Sequence, residues 1–206
     1  MARKSKKLPV RNEFLILTNG KRSEKNYFEV LRGSFKSIYK ITVNFMNDDP
    51  EALVIHAVAE KTPTKRVWCV FDKDEFTDES IYRAIDIAKK YDIGIAFSNS
   101  AFEVWLIDHF RQCKTEKTNS QLTAEIDALL KTSGNSQGYA KKDSDVIRNI
   151  FVPRLDDAIQ NADIVCQKYV REYRDTGRKD NDFPVCTWNS YTDVHKLVIA
   201  LRLERR

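Results

Sequence analysis

The most constraining feature of this chain is the run Val67-Trp68-Cys69-Val70-Phe71, apolar at every position and stopped abruptly by Asp72-Lys73-Asp74. A strand with one solvated face alternates polar and apolar residues, so an unbroken run of this length implies burial on both faces, as in the centre of a parallel sheet. The neighbouring segments agree. Phe14-Leu15-Ile16-Leu17 is a second short apolar run, closed by the turn pair Asn19-Gly20. Ile38 to Phe45 alternates through Ile41, Val43 and Phe45, and Ile93-Gly94-Ile95-Ala96-Phe97 supplies a fourth strand.

Helices are predicted between these strands. Ser23 is expected to cap one that carries Tyr27, Phe28, Val30 and Leu31 on a broad apolar face. Asp49-Pro50 starts another that runs to about Glu60, and Thr77 caps a third with Ile81, Ala84, Ile85 and Ala88 at helical spacing. Alternating strands and helices define an α/β fold with a mainly parallel, four-stranded sheet flanked by helices.

Beyond residue 100 the sequence predicts helices only: Ala101 to Phe110, Ser120 to Lys131, about Asp143 to Tyr173, and Thr192 to Leu203. Pro153 should bend or divide the third of these, and Asp175 to Ser190 reads as a long loop. A chain of 206 residues is one ordinary domain. The division expected is a basic disordered tail over 1–12, an α/β core over 13–110, and a helical C-terminal extension over 111–206 packed on that core.

With 42% hydrophobic and 32% charged residues and only 6 Gly and 5 Pro, the chain is unlike disordered or low-complexity sequences. The net charge of +5 permits a nucleic-acid partner without demanding one. No apolar run approaches the roughly 20 residues of a membrane span, and the basic N-terminus lacks the apolar segment of a signal peptide, so a cytoplasmic location is expected. The four cysteines are scattered, without metal-ligand spacing, and read as reduced thiols; His56 and His109 read as packed or half-buried rather than as ligands. The apolar positions Phe102, Trp105, Leu106 and Phe110 are expected to pack their helix on the sheet.

In an open parallel sheet the loops leaving the carboxyl ends of the strands converge on the ligand crevice. Here the first strand leads to Asn19-Gly20 and Glu24, the third to Asp72-Lys73-Asp74-Glu75, and the fourth to Ser98-Asn99 and Glu103. Carboxylates gathered without His or Cys are hard oxygen donors suited to Mg²⁺ or Mn²⁺, with phosphodiester chemistry as the natural use. Equally, Asp72 and Asp74 can simply end a strand, and Glu103 can sit in a first helical turn favoured by the dipole. Gly20, Lys21 and Arg22 form either a phosphate cradle or a solvated turn. Arg171, Arg174 and Arg178 share one helix face near Tyr169 and Tyr173, a backbone-tracking strip with stacking rings or an ordinary solvated face.

The segments FLILTNGKRSEKNYF, VWCVFDKDEF, SNSAFEVWLIDHF and WNSYTDVHKLV, in this order between residues 14 and 198, resemble the RloB family of bacterial proteins. The resemblance implies a Toprim-like catalytic fold, as in the nuclease domains of topoisomerases and primases. It also implies a place in restriction or phage-defence loci beside an ABC- or AAA-type ATPase, and Mg²⁺ as cofactor. Asp72 and Asp74 match the family's Asp-x-Asp, which holds the metal, and Glu103 lies in its Phe-Glu-x-Trp motif as a further ligand. Tyr139-Ala140-Lys141-Lys142 resembles a Tyr-x-Lys element, which makes Lys141 a catalytic candidate and Lys142, with Lys21, Arg22 and the arginine strip, a nucleic-acid contact.

Where the family reads approximately Cys-Glu-Gly-x-x-Thr-Glu, this chain has Thr18-Asn19-Gly20-Lys21-Arg22-Ser23-Glu24. Asn19 therefore stands at the usual catalytic Glu, and an amide accepts no proton near neutral pH. Glu24 or Glu103 would have to supply the missing acid. The expectation is a Mg²⁺-dependent endonuclease subunit acting on DNA or RNA; the alternative is a catalytically silent binding or regulatory subunit. A homo-oligomer is compatible with both.

Overall fold

β1 (Glu13–Thr18) lies between two parallel partners, β2 (Lys40–Phe45) and β3 (Lys65–Asp72), and β3 pairs in parallel with β4 (Gly94–Asn99). These elements belong to a computed structural model that describes residues 13–35, 39–74, 76–141 and 143–203. The proposed tail over 1–12 and the site candidate Lys142 lie outside the described residues.

The sheet order is β2-β1-β3-β4-β5, with five strands rather than the four expected. The addition, β5 (Tyr191–Thr192), runs antiparallel to β4 with Ser98 opposite Thr192. It is too short to leave a pattern: Tyr191 falls between the predicted loop and the predicted last helix, and Thr192 is the expected first residue of that helix. Thr192 is diverted because its hydroxyl meets Ser98 Oγ at 3.0 Å and accepts from the Val194 N–H at 3.3 Å. The last helix, α8 (Val194–Leu203), consequently begins two residues late.

Helices cover both sheet faces. Phe14, Ile16, Val70 and Ala96 point to one face, where α1 (Ser23–Ser34) packs with Tyr27, Phe28 and Leu31. Leu15, Leu17, Val67, Cys69 and Phe71 point to the other, under Leu53, Val54 and Ala57 of α2 (Pro50–Glu60) and Ile81, Ala84 and Ala88 of α3 (Asp78–Tyr91). Burial on both faces of β3 is what its unbroken apolar run required. Trp68 lies across its neighbour: a Cβ on Gly94, its register partner, would come within 2.2 Å of the indole, so only glycine fits there.

Helix starts follow the capping chemistry in two of three cases. Asp49 accepts from the Ala52 N–H at 3.0 Å and Thr77 from the Ser80 N–H at 3.2 Å. Ser23, however, does not cap α1; it is the first helical residue, and its hydroxyl instead lies 3.5 Å from that of Tyr139.

α4 is shorter than predicted, Glu103–Asp108; Trp105 and Leu106 within it and Phe102 just before it are buried as expected, whereas Phe110, past its end, is half-buried. α5 (Asn119–Thr132) opens with a capping box between Thr118 and Gln121. The predicted helix over 143–173 is divided around Pro153: α6 (Ser144–Val146) and π and 3₁₀ turns precede α7 (Leu155–Asp175). Among the described residues, no helix is long and apolar enough to cross a membrane.

All four cysteines are free and buried. His109 is packed between Tyr27 and Trp105, its Nε2 3.0 Å from the tyrosine hydroxyl, and burial lowers its pKa to about 3. His56 differs from expectation: it is exposed and pairs with Asp48 at 3.0 Å on the surface.

Candidate functional site

The strand order puts the topological switch between β1 and β3, because the chain leaves β1 toward β2 on one side and then builds β3 and β4 on the other. The loops leaving two adjacent strands part there, which opens a crevice at their carboxyl ends. Glu24, in the first turn of α1 after β1, and Asp72, the last residue of β3, flank that crevice.

Between them lies a cleft of ≈ 400 Å³, lined by Gly20 to Glu24, Asp72, Asp74, Ala101, Phe102, Glu103, Asn119, Thr123 and Lys141. The acids of three separate loops thus meet, as the parallel sheet predicted. Glu24, in the first turn of α1, is 5% exposed, and Glu103, which opens α4, is 3% exposed. Glu24 reaches the cleft by folding back over the turn after β1: a Cβ on Gly20 would lie 1.8 Å from Glu24 Oε2. In this position the carboxylate occupies the space that a Cβ on residue 20 would fill.

Asp72 is the last residue of β3. Its Oδ2 accepts from the Phe102 N–H at 3.0 Å, whereas its Oδ1 is buried without a hydrogen-bond partner among the described residues. Burial, then the charges of Glu24 and Glu103, hold the Asp72 carboxyl well above the ordinary Asp range against the opposing Phe102 N–H. Burial is also the main cause of the raised Glu24 pKa; Glu103 adds to it and Lys141 opposes it. Acids so placed keep a proton that isolated carboxylic acids would lose, unless a cation arrives.

Glu103 is already engaged. Its Oε1 accepts from the Tyr139 hydroxyl at 2.9 Å and lies 3.0 Å from Lys141 Nζ. Burial depresses Lys141, but Glu103, Glu24 and Asp72 together outweigh it and leave the ammonium pKa raised. Asp74 stands at the rim in a left-handed conformation, φ 27°, and accepts from Asn119 Nδ2 at 2.9 Å.

Among the described residues, no three His, Cys, Asp or Glu side chains form a ready-made metal cage. Mg²⁺ does not require one, since it keeps several waters and is commonly held by one or two carboxylates. The unpartnered Asp72 Oδ1 with Glu24 beside it fits that mode, and the donor set is all oxygen.

Other candidates fall elsewhere. Lys21 and Arg22 line the cleft; Arg171, Arg174 and Arg178 do not. Arg174 lies 5.7 Å over Phe183 and Arg178 5.5 Å over Tyr173, while Tyr169 stacks on Trp188 and Tyr173 is buried. The two tyrosines are therefore packing groups under the 175–190 loop rather than free platforms. Asn19 is absent from the lining; its N–H bonds to Val70 O at 3.2 Å. Ser98 and Asn99 are buried, and Asn99 Nδ2 donates to Cys186 O at 2.9 Å, which ties down the same loop. Asn119 and Thr123 carried no sequence signal, because α5 docks on the cleft through long-range packing.

Fold and cleft define a class: an open, mostly parallel α/β protein with buried acids at the switch point of its sheet. Within that class the particular family is clear, since the profile described as RloB-like protein matches residues 14–201, and the chain belongs to this family. Comparison with curated proteins and with solved structures returned no match.

Proposed function

We propose that this protein is a Toprim-like, metal-dependent nuclease subunit that hydrolyses phosphodiester bonds in nucleic acid. The observation that carries the proposal is the Asp72 carboxyl, buried at the end of β3 with Oδ1 unpartnered among the described residues and Glu24 beside it. Asp72 and Glu24 would hold Mg²⁺ or Mn²⁺, with Asp74 at the rim. The ion, when bound, polarises a phosphoryl oxygen and makes water a better nucleophile.

The remaining chemistry belongs to the chain. Glu24 lines the cleft and Asn19 does not, so the acid–base duty that Asn19 lacks falls to Glu24. Lys141, fixed by Glu103, presents positive charge where phosphoryl charge develops. Tyr139 orients Glu103 and thereby Lys141. Lys21 and Arg22 hold the strand at the mouth of the cleft.

Family membership supports a cytoplasmic role in phage defence, in which an ABC- or AAA-type ATPase partner controls the nuclease. The test is cleavage of single- and double-stranded DNA and RNA by purified protein with Mg²⁺, Mn²⁺ or EDTA, beside Asp72→Ala. Metal-dependent cleavage lost in the variant is expected; cleavage that survives Asp72→Ala refutes the assignment.

Asn19 favours a second reading, a silent binding or regulatory subunit. Asn19→Glu discriminates. No gain is expected if Glu24 does the work, and strong activity appearing only in the variant supports the silent subunit.

A further inference from the structure

Beside the acidic cleft runs a second depression of ≈ 380 Å³, lined by Lys21, Arg22, Lys25, Asn26, Glu29 and Phe45. Lys21 and Arg22 line both, so the two depressions adjoin at these residues on the carboxyl edge of the sheet. The far end of the second is set by the strand order. β2 is the edge strand beyond β1, and Phe45, its last residue, is the register partner of Thr18, just before the turn that carries Lys21 and Arg22. Through Thr18 the Phe45 backbone is level with Val70 of β3, two strand spacings or roughly 10 Å away and two residues before Asp72.

Three observations distinguish this depression from an ordinary solvated turn. Phe45 is partly exposed and is not among the residues packed on either core cluster, whereas the next residue, Met46, packs on the core. Among the described residues, no carboxylate pairs with Lys21 or Arg22, whereas Lys25 is paired with Glu29 at 3.3 Å and Lys141 with Glu103 at 3.0 Å. Lys21 Nζ instead rests 5.8 Å from the Phe45 centroid, near the outer limit of a cation–π contact and easily displaced.

We infer that Phe45, Lys21 and Arg22 form a nucleotide subsite flanking the acidic centre, in which an unpaired base stacks on the Phe45 ring while Lys21 and Arg22 bind the adjoining phosphates. This rests on the nuclease reading and narrows it: the substrate carries an unpaired nucleotide next to the bond at Asp72, as in a single strand, flap or loop. A base inside a duplex presents only its edges, so a stacking ring is useless against it. The stacked base takes the place of Lys21 over the ring and frees the ammonium for phosphate.

The test is binding of fluorescent oligonucleotides, single-stranded and blunt duplex, measured by anisotropy over a salt series. The parent is full-length Asp72→Asn, which suppresses cleavage. Phe45→Ala in this background is expected to weaken single-strand binding about 5- to 150-fold, with duplex binding changed less than about twofold and Phe45→Trp restoring affinity. Lys21→Gln should lower the slope of log affinity against log salt by about 0.7 on single strands. If the parent binds single strands and Phe45→Ala binds them equally well, or loses both substrates alike, the subsite is overturned while the nuclease reading stands. If the parent binds no oligonucleotide and the wild-type protein cleaves none, both fall.

Discussion

Gly20→Ala offers the sharpest probe of how the cleft is built. No left-handed backbone is required of Gly20, so alanine brings no conformational penalty of that kind. Its new Cβ, however, would lie 1.8–2.0 Å from the Glu24 carboxylate, which must retreat to ordinary contact. That is a displacement of roughly 1.5 Å, and a misplacement of about 1 Å at a reacting group can cost 10²-fold in rate. A loss in kcat/KM of about 100-fold, or ~2.7 kcal/mol in the barrier, is expected.

Stability should change little, because the moving atoms are the far end of a flexible side chain. For a chain of this size Tm should move by no more than about 2–4 °C. The assay is metal-dependent oligonucleotide cleavage by Gly20→Ala, Glu24→Ala and the double variant. If the glycine acts only by seating Glu24, the double variant is no worse than Glu24→Ala alone. Full activity in Gly20→Ala, or losses that multiply in the double variant, would refute the reasoning.

Asp72→Asn should abolish cleavage yet raise Tm at pH 7–8. A carboxyl with a raised folded-state pKa binds its proton more tightly when folded, so its contribution is most favourable at acid pH and declines as pH rises through that pKa. The gain over wild type should therefore shrink toward pH 4, as a thermal-melt pH series would read, and a gain that grows in acid would contradict the assignment. Gly94→Ala drives a methyl into the Trp68 indole and should cost about 1–3 kcal/mol, seen as a lower denaturant midpoint; an unchanged midpoint would mean the indole has room to move. Asp49→Ala removes the α2 cap and should cost about 1 kcal/mol in the same measurement without touching cleavage.

How much could be read in advance depended on the range of the forces involved. The run from Val67 to Phe71 announced β3 because burial on both faces tolerates no polar residue, and Asp49-Pro50 and Thr77 announced helix starts because capping is a contact over three residues. The acids at the strand ends were legible for the same reason: once the strands were parallel, Glu24, Asp72 and Glu103 had to share an edge.

Partnerships set by distant packing were not legible. β5 is two residues long and exists only because β4 offers it an edge. Tyr139 and Asn119 reach the cleft only because α5 and the loop after it dock beside the sheet, and Ser23 gives up capping for a tyrosine 116 residues away. Local chemistry along the chain thus determined the strands, most helix starts and the acidic edge. Tertiary structure alone decided which acid oxygen stays unpartnered and which acid is paired with Lys141, since each depends on groups that meet only after the chain has folded.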